Sequence, residues 1–231
     1  ASRSSAKLGI DTQYNGADWA AIRDRVFGLI DPIASSGRDY RATGTPNVTL
    51  IEGTAAFVDE HTLDVEGRRI TAPHILLAAG ARPVVPPIAG LMETGFHTSD
   101  SIMRLPELPA RLGIIGGGFI AVEMGHVFSG LGTQVTIFNR SNTLLREFDH
   151  DISATFTEVF AERVELMLGH VPTKVERVDD GIKITCAIGE TVVDEILVAT
   201  GREPTSDRLD VDAAGLEGHH PGTLAVDDTM G

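Results

Sequence analysis

The hydrophobic residues of this chain are spaced for a helix near its start and for short strands after it. Residues 19–33 carry apolar side chains at helical spacing and follow Asp18, a favourable N-cap residue. We predict a helix there and expect Pro32 to kink or end it. Glycine and proline then separate four short aliphatic runs, which favours β-strands. These runs lie at 48–51, 55–58, 61–65 and 75–78.

After the proline-rich segment 82–87, the chain has the order strand, glycine-rich turn, helix and strand. The first strand covers residues 112–115, the turn begins at Gly116, and the second strand covers residues 134–138. This order is typical of a dinucleotide-binding βαβ unit. A helix is predicted at 152–163, capped by Asp149 and Asp151. Further strands are predicted at 164–168, 171–178, 182–188, 192–199 and 224–226. We therefore expect an α/β fold with a second β layer after the βαβ unit.

The turn from Gly116 to Ala121 contains small residues with separate physical purposes. Gly116 permits the tight turn, Gly118 lets the backbone approach a pyrophosphate, and Ala121 lets the helix pack closely on the strand. The pyrophosphate would lie at the helix N-terminus, where free N–H groups point toward it. A purely structural glycine turn is the alternative, but the flanking strands and helix favour nucleotide binding.

The end of the second strand distinguishes NADPH from NADH. An NAD-specific unit usually has Asp or Glu there, which accepts a hydrogen bond from the ribose 2′-hydroxyl. Here Asn139 holds that position, followed by Arg140 and, six residues later, Arg146. Two arginines can form charge-assisted hydrogen bonds with a 2′-phosphate. We interpret them as NADPH-binding residues; the alternative is a pair of solvated surface arginines.

The composition of the chain limits the classes of partner that it can bind. A formal net charge of -14 argues against nucleic acids and anionic membranes, because both require a basic surface. No stretch is apolar enough to span a bilayer, and the first residues lack the core of a signal peptide, so we expect a cytoplasmic protein. Cys186 is the single cysteine and is interpreted as a small buried hydrophobic residue. No metal site is expected, and His219-His220 is interpreted as a solvated turn.

Residues 53–57, 72–80, 116–123 and 199–202 occur in an order that is specific to one family. With them the chain resembles the flavin-dependent pyridine nucleotide–disulfide oxidoreductases. The resemblance covers nearly the whole chain and implies two cofactors, FAD and NADPH. Within the family, residues 25–41 resemble the members that reduce mycothione, a low-molecular-weight disulfide.

The resemblance implies a Rossmann-like NAD(P)-binding domain with three layers (ββα), inserted in parts of a similar FAD-binding domain. The implied boundaries are a partial FAD-binding domain at 1–80, an NAD(P)H-binding domain at 81–201, and a return to the FAD-binding and central domains at 202–231. In such enzymes hydride passes from NADPH to FAD, and electrons pass on to a cysteine pair that reduces a small disulfide. The family's N-terminal FAD-binding turn, Cys-x4-Cys pair and C-terminal interface domain are absent from this sequence. We therefore expect the nucleotide-binding portion of a homodimeric enzyme, inactive in isolation.

The resemblance also assigns individual contacts. Glu123 is implied to orient the nicotinamide carboxamide, and Phe119 to lie over the nicotinamide pocket. For both, an ordinary helix residue is the alternative. The other implied NADPH contacts are Gly116, Gly117, Gly118, Ile120, Asn139, Arg140, Arg146 and Gly201. The implied FAD contacts are Thr54, Ala55, Ala79, Gly80 and Arg202, for which a simple strand-end turn is the alternative.

Rival functions remain open at this point. An NAD-linked dihydrolipoamide dehydrogenase and a mercuric reductase belong to the same family, and Asn139 with Arg140 counts against the first. A non-catalytic nucleotide-binding module describes the chain by itself. A hydroxy-acid dehydrogenase is disfavoured, because the sequence supplies no substrate-binding His/Arg pair.

Overall fold

The structure is a computed structural model that describes residues 7–219 and 222–229. The described chain divides into two compact units. The first contains the described residues up to Gly28 together with Val85–Thr200. The second contains Leu29–Val84 together with the described residues from Gly201 onward.

The helices and strands follow one another in an α/β order. They are α1 (Trp19–Asp39), β1 (Ala55–Asp59), β2 (Thr62–Val65), β3 (Arg68–Thr71), β4 (Ala81–Pro83), α2 (Leu91–Thr94), β5 (Arg111–Ile115), α3 (Phe119–Leu131), β6 (Gln134–Asn139), α4 (His150–Ala161), β7 (Glu165–Leu168), β8 (Lys174–Val178), β9 (Gly181–Cys186), β10 (Gly189–Val193), β11 (Glu195–Val198), β12 (Arg202–Pro204), β13 (Gly218–His219) and β14 (Thr223–Leu224). Short 3-10 segments cover Ile102–Arg104, Thr205–Arg208 and Val211–Ala214.

A four-stranded parallel sheet in the order β11-β5-β6-β7 forms the centre of the first unit. Ile114 of β5 lies opposite Ile137 of β6 on one side and Leu197 of β11 on the other. All three side chains are fully buried. Burial on both faces explains why β5, β6 and β11 are nearly continuous hydrophobic runs rather than alternating ones.

Helices cover one face of this sheet, and an antiparallel sheet of β8, β9 and β10 covers the other. The buried residues on the helix side include Leu112, Ile114, Ala121, Phe128, Ile137 and Phe160. Those on the other side include Ile115, Phe138, Val175, Ile182, Ile184, Val193 and Val198. The three-layer ββα arrangement implied by the family resemblance is confirmed.

The antiparallel sheet lies close to β5 at Gly113, so a side chain there would require the Ile184 side chain to shift. A Cβ there would lie 2.7 Å from Cδ1 of Ile184 and 3.4 Å from Val193. At the start of β5, Arg111 donates hydrogen bonds to Asp180 at 3.0 Å and Asp194 at 2.7 Å. These bonds attach the antiparallel sheet to the parallel one and fix the first strand of the βαβ unit.

The start of α1 belongs to the first unit and is capped as the sequence predicts. The Asp18 carboxylate accepts a hydrogen bond from the Ala21 N–H at 2.9 Å. The buried Trp19 ring lies 5.4 Å from that of Phe128, and its Nε1 donates to the Leu105 carbonyl at 2.8 Å. Trp19 thereby anchors the first turns of α1 on the helix layer.

The second unit contains an antiparallel sheet, β1-β2-β3, and the two-stranded pair β4–β12. Phe57 is buried, and its N–H donates to the Leu209 carbonyl at 2.7 Å. In β4, Arg82 pairs with Glu203 at 2.7 Å and with Asp207 at 2.6 Å. The hydrogen bonds from Arg82 hold the pKa of Asp207 below its ordinary value.

Several predictions from the sequence are wrong in detail. Helix α1 continues through Pro32 to Asp39 and passes into a π-helical segment, Tyr40–Gly44. Asp149 holds the N-cap position of α4, but its side chain forms no capping hydrogen bond.

The predicted strands at 48–51 and 75–78 do not form. A strand needs a neighbour to complete its backbone hydrogen bonds, and no described strand lies beside either segment. Conversely, β4 overlaps the start of the proline-rich segment, where no strand was predicted, because β12 pairs with it. The strand predicted at 224–226 is shorter, at Thr223–Leu224, and the one predicted at 171–178 begins only at Lys174.

Candidate nucleotide-binding site

The glycine-rich turn follows β5 and begins with a residue that must be glycine. Gly116 has a φ of 127°, and a Cβ there would lie 2.1 Å from the Ala199 carbonyl oxygen. Its N–H donates to the Phe138 carbonyl at 2.9 Å. The turn is therefore packed against the residue that follows β11 on one side and bonded to β6 on the other.

The next two glycines differ from each other. A Cβ on Gly117 would lie 2.4 Å from Cγ of Asn139, so this position is closed by close packing. A Cβ on Gly118 would meet no atom within 4 Å, and its backbone is extended and exposed. Gly118 thus leaves open space beside the backbone where the helix starts.

Helix α3 starts at Phe119 and presents its N-terminus to this open space. Its first turn contains no acidic residue, and the Val122 N–H bonds back to the Gly118 carbonyl. The free N–H groups at the start of such a helix form a site for an anion. Ala121 is fully buried, so the helix approaches the sheet closely. Open backbone and free N–H groups fit a bound pyrophosphate.

Asn139 ends β6 beside this turn and is 7% exposed. Its Nδ2 donates hydrogen bonds to the carbonyls of Ser141 at 3.1 Å and Thr143 at 2.9 Å. Arg140 follows it and is exposed. The neutral Asn139 side chain adds no negative charge beside the turn. Its two hydrogen bonds also hold the backbone of the segment that follows β6.

That segment, residues 140–148, is called the arginine loop below because it begins at Arg140 and contains Arg146. Leu145 has a φ of 52°, and its N–H donates to the Gly117 carbonyl at 2.8 Å. Arg146 follows, with its side chain 53% exposed and its Nε 3.1 Å from Oε1 of Glu147. Both arginines thus come directly after a residue that contacts Gly117. The structure thus places the backbone of each arginine one residue from a contact with the glycine-rich turn.

Phe119 and Glu123 lie on the first turns of α3. Phe119 is 56% exposed, and its ring meets the ring of Phe148 edge to face at 5.4 Å. Ile120 is partly buried. Glu123 is exposed and has no ion pair within the part of the chain that the structure describes. Phe148 has no signal in the sequence that marks it as part of this site.

Comparison with known proteins now identifies the family. Residues 12–231 match the family described as pyridine nucleotide-disulphide oxidoreductase. The chain belongs to this family. Its members are FAD-dependent and use NAD(P)H. The resemblance inferred from the sequence motifs is confirmed.

Individual members of the family can be compared with this chain one by one. The chain is 37% identical over 222 residues to the mycothione reductase of Mycobacterium tuberculosis. The aligned residues are 93% of this chain and 48% of that protein. It is 35% identical over 227 residues to the mercuric reductase of Staphylococcus aureus. The aligned residues are 96% of this chain and 41% of that protein. The structure of the HOCl-induced flavoprotein disulfide reductase RclA from Escherichia coli superposes on this chain with a TM-score of 0.84 at 29% sequence identity. The superposition covers 92% of this chain and 49% of RclA. The chain spans about half the length of these relatives.

The residues assigned to FAD all belong to the second unit. Thr54 and Ala55 lie where β1 begins. Ala79 and Gly80 precede β4, and Arg202 of β12 donates a hydrogen bond to the Ala81 carbonyl. Among the described residues of this unit no glycine-rich turn leads into an α-helix, which is what a flavin pyrophosphate needs. The five residues stay predicted FAD contacts.

The remaining expectations concern Gly201, metals and membranes. Gly201 belongs to the second unit, where its carbonyl accepts from the Val84 N–H at 3.0 Å. Within the described ranges, no group of three His, Cys, Asp or Glu residues could hold a metal. The side chains of His219 and His220 lie outside the described residues. No described helix has the length and apolar character needed to cross a membrane.

Proposed function

We propose that this chain is the NADPH-binding portion of an FAD-dependent disulfide reductase whose substrate is mycothione. NADPH, when bound, would supply a hydride to the flavin, and the two electrons would then pass to the disulfide form of a cysteine pair. The chain's own residues bind the pyrophosphate at the first turn of α3 and the 2′-phosphate at Arg140 and Arg146. One observation carries the cofactor preference: the uncharged Asn139 and Leu145 both contact Gly117, and each is followed by an exposed arginine.

The charges in this region favour the phosphorylated nucleotide. A carboxylate at position 139 would accept from a 2′-hydroxyl and would repel a 2′-phosphate. Arginine forms charge-assisted hydrogen bonds with phosphate, each contributing about 1.5–3 kcal/mol before solvent screening is counted. Both side chains are exposed and Arg146 also pairs with Glu147, so solvent screening should reduce the combined contribution of the two arginines to about 1.4 kcal/mol.

The substrate is a finer proposal than the cofactor. Its support is the 37% identity to a mycothione reductase, beside 35% identity to a mercuric reductase. We propose a low-molecular-weight disulfide, a homodimeric parent enzyme and a cytoplasmic location. Turnover of mycothione by the complete enzyme, compared with turnover of glutathione disulfide and of mercuric ion, tests the substrate.

Cofactor binding by this chain tests the central proposal. We expect NADPH to bind about tenfold more tightly than NADH, since tenfold corresponds to about 1.4 kcal/mol. In the double variant Arg140→Ala/Arg146→Ala, NADPH affinity should fall to that of NADH while NADH affinity stays within about twofold. Arg163→Ala is the matched control, because Arg163 is also exposed and belongs to the same unit. Equal affinities in the unmodified chain, or tighter binding of NADH, would favour an NAD-linked dihydrolipoamide dehydrogenase.

A second candidate describes the chain in isolation, which is a nucleotide-binding module without catalytic activity. Its single cysteine, Cys186, is buried in the antiparallel sheet, so this chain offers no cysteine pair. We expect the purified chain to be colourless, to bind NADPH weakly and to reduce no disulfide. Bound flavin absorbance together with disulfide reduction at the rate of a complete enzyme would contradict this proposal.

A further inference from the structure

The arginine loop is held from two sides by hydrogen bonds to its backbone. On one side, the Leu145 N–H donates to the Gly117 carbonyl at 2.8 Å. On the other side lies α4. The Leu144 N–H donates to Oγ1 of Thr157 at 2.9 Å, and Oγ of Ser153 donates to the Leu145 carbonyl at 2.8 Å. These three bonds fix the backbone at Leu144 and Leu145, directly before Arg146.

The two hydroxyls of α4 are buried beneath this loop. Ser153 is 2% exposed and Thr157 is 8% exposed, while Leu144 above them is fully buried. Oγ1 of Thr157 also donates to the Ser153 carbonyl at 2.6 Å, so both hydroxyls have partners. A buried hydroxyl without a partner is costly. Thr157 finds its acceptor within α4, whereas the Ser153 hydroxyl avoids that cost because the arginine loop brings the Leu145 carbonyl to it.

That conformation is one the loop would not adopt unaided. Leu145 has a left-handed backbone with φ of 52°, which is unfavourable for a residue with a side chain. Such a backbone persists only where the surroundings fix it. Here the surroundings are the Gly117 carbonyl and the Ser153 hydroxyl. Since Arg146 is the next residue, the left-handed turn at Leu145 determines the direction in which the chain presents it.

We propose that Ser153 and Thr157 are positioning residues for recognition of the 2′-phosphate of NADPH. Their hydroxyls hold Leu144 and Leu145 in place and thereby keep Arg146 beside the glycine-rich turn. This inference rests on the proposed function, since it requires that Arg146 bind the phosphate. Neither hydroxyl needs to touch the nucleotide, so their removal should affect NADPH and leave NADH binding nearly unchanged.

The test is the ratio of NADPH affinity to NADH affinity in hydroxyl-deleted variants. Ser153→Ala removes the hydroxyl's bond to the Leu145 carbonyl and its longer one to the Phe148 carbonyl at 3.5 Å. The Leu145 carbonyl keeps the Phe148 N–H at 3.0 Å, so this variant should fold. Thr157→Val removes the acceptor of the Leu144 N–H, and Thr157→Ser retains it. We expect the ratio to fall about threefold to tenfold in Ser153→Ala and Thr157→Val and to be restored in Thr157→Ser, in line with the loss of one hydrogen bond.

The matched control is Thr136→Val, another buried hydroxyl deletion in the same unit. Thr136 is 3% exposed and donates to Glu165 at 2.8 Å, with no bond to the arginine loop. It should lower the unfolding temperature without changing the affinity ratio. If Ser153→Ala and Thr157→Val also leave the ratio unchanged, the positioning role is wrong.

The double arginine variant separates this failure from failure of the proposed function. If Arg140→Ala/Arg146→Ala lowers the ratio and the hydroxyl variants do not, only the positioning role is overturned. If the arginine variant leaves the ratio unchanged, or the unmodified chain binds no NADPH, both proposals are overturned. Titration with 2′,5′-ADP, which carries the 2′-phosphate but no nicotinamide, should reproduce the NADPH losses and supports the proposal where it does.

Discussion

Alanine substitutions at two glycines of the turn should have opposite consequences. Gly116→Ala places a Cβ 2.1 Å from the Ala199 carbonyl oxygen, where ordinary contact begins at 3.4 Å, and does so at a φ of 127°. Gly118→Ala places its Cβ where no protein atom lies within 4 Å, on an extended backbone open to all residues. The first change should therefore damage the fold, and the second should damage only nucleotide binding.

The magnitudes follow from these geometries. For Gly116→Ala, the positive φ costs about 1–2 kcal/mol and the displacement of β11 about 1–3 kcal/mol, so we expect a loss of about 3 kcal/mol. For a chain of this size that corresponds to a fall in unfolding temperature of about 6–12 °C. Gly118→Ala should change stability by less than about 1 kcal/mol, because a lost N-cap glycine offsets the reduced entropy of the unfolded chain. Its methyl group occupies the approach to the pyrophosphate, so NADPH affinity should fall about tenfold or more.

Thermal unfolding and NADPH titration on the same preparations measure both effects. Gly130→Ala is the control, because Gly130 lies within α3 and a Cβ there would also meet no atom within 4 Å. It should raise stability by about 0.5–1 kcal/mol and leave NADPH affinity unchanged. If Gly118→Ala bound NADPH like the unmodified chain, the pyrophosphate would not lie at this turn. If Gly116→Ala unfolded at the unmodified temperature, the close packing of the turn on β11 would be wrong.

Three other changes have defined outcomes. Trp19→Ala should destabilise the first unit by about 3–5 kcal/mol, measured by urea unfolding, because Trp19 is buried. Hydrogen bonds from Arg82 lower the pKa of Asp207 in the folded chain. Asp207 therefore contributes its full stabilisation above the pKa of an unfolded aspartate, about 3.9. That contribution is lost as the pH falls through the lower pKa of the folded state. The stability difference between the unmodified chain and Asp207→Asn should therefore shrink below about pH 4 in urea titrations, and a constant difference would contradict the pairing. Asn139→Asp should weaken NADPH binding without producing tight NADH binding, measured by titration with both nucleotides.

The βαβ unit could be predicted from the sequence because its signals are local. The strand predicted at 112–115 is observed at Arg111–Ile115, and the one predicted at 134–138 at Gln134–Asn139. Hydrophobic runs, a glycine-rich turn and a helical period each specify their element within a few residues. The close approach of Gly116 to Ala199 is not such a local signal, because its partner lies more than eighty residues away.

Features that depend on a distant partner could not be predicted in this way. Residues 75–78 have the composition of a strand, yet Leu76 is 89% exposed and no described strand pairs with the segment. The short strand β4 forms among prolines because β12 supplies its partner. Strand formation requires hydrogen-bonding neighbours as well as composition. The hydroxyls of Ser153 and Thr157 were missed for the same reason, since nothing in their local sequence connects them with the arginine loop.

Asn139 shows where residue-by-residue inference from a motif falls short. From the sequence, its importance is that it lacks a negative charge. In the structure its amide also donates to the carbonyls of Ser141 and Thr143, which a carboxylate cannot do. An acid there would repel a 2′-phosphate and would also withdraw two donors from the arginine loop. Cofactor preference and loop conformation are therefore coupled through one side chain, so a change of preference toward NADH requires a new loop sequence together with the acid.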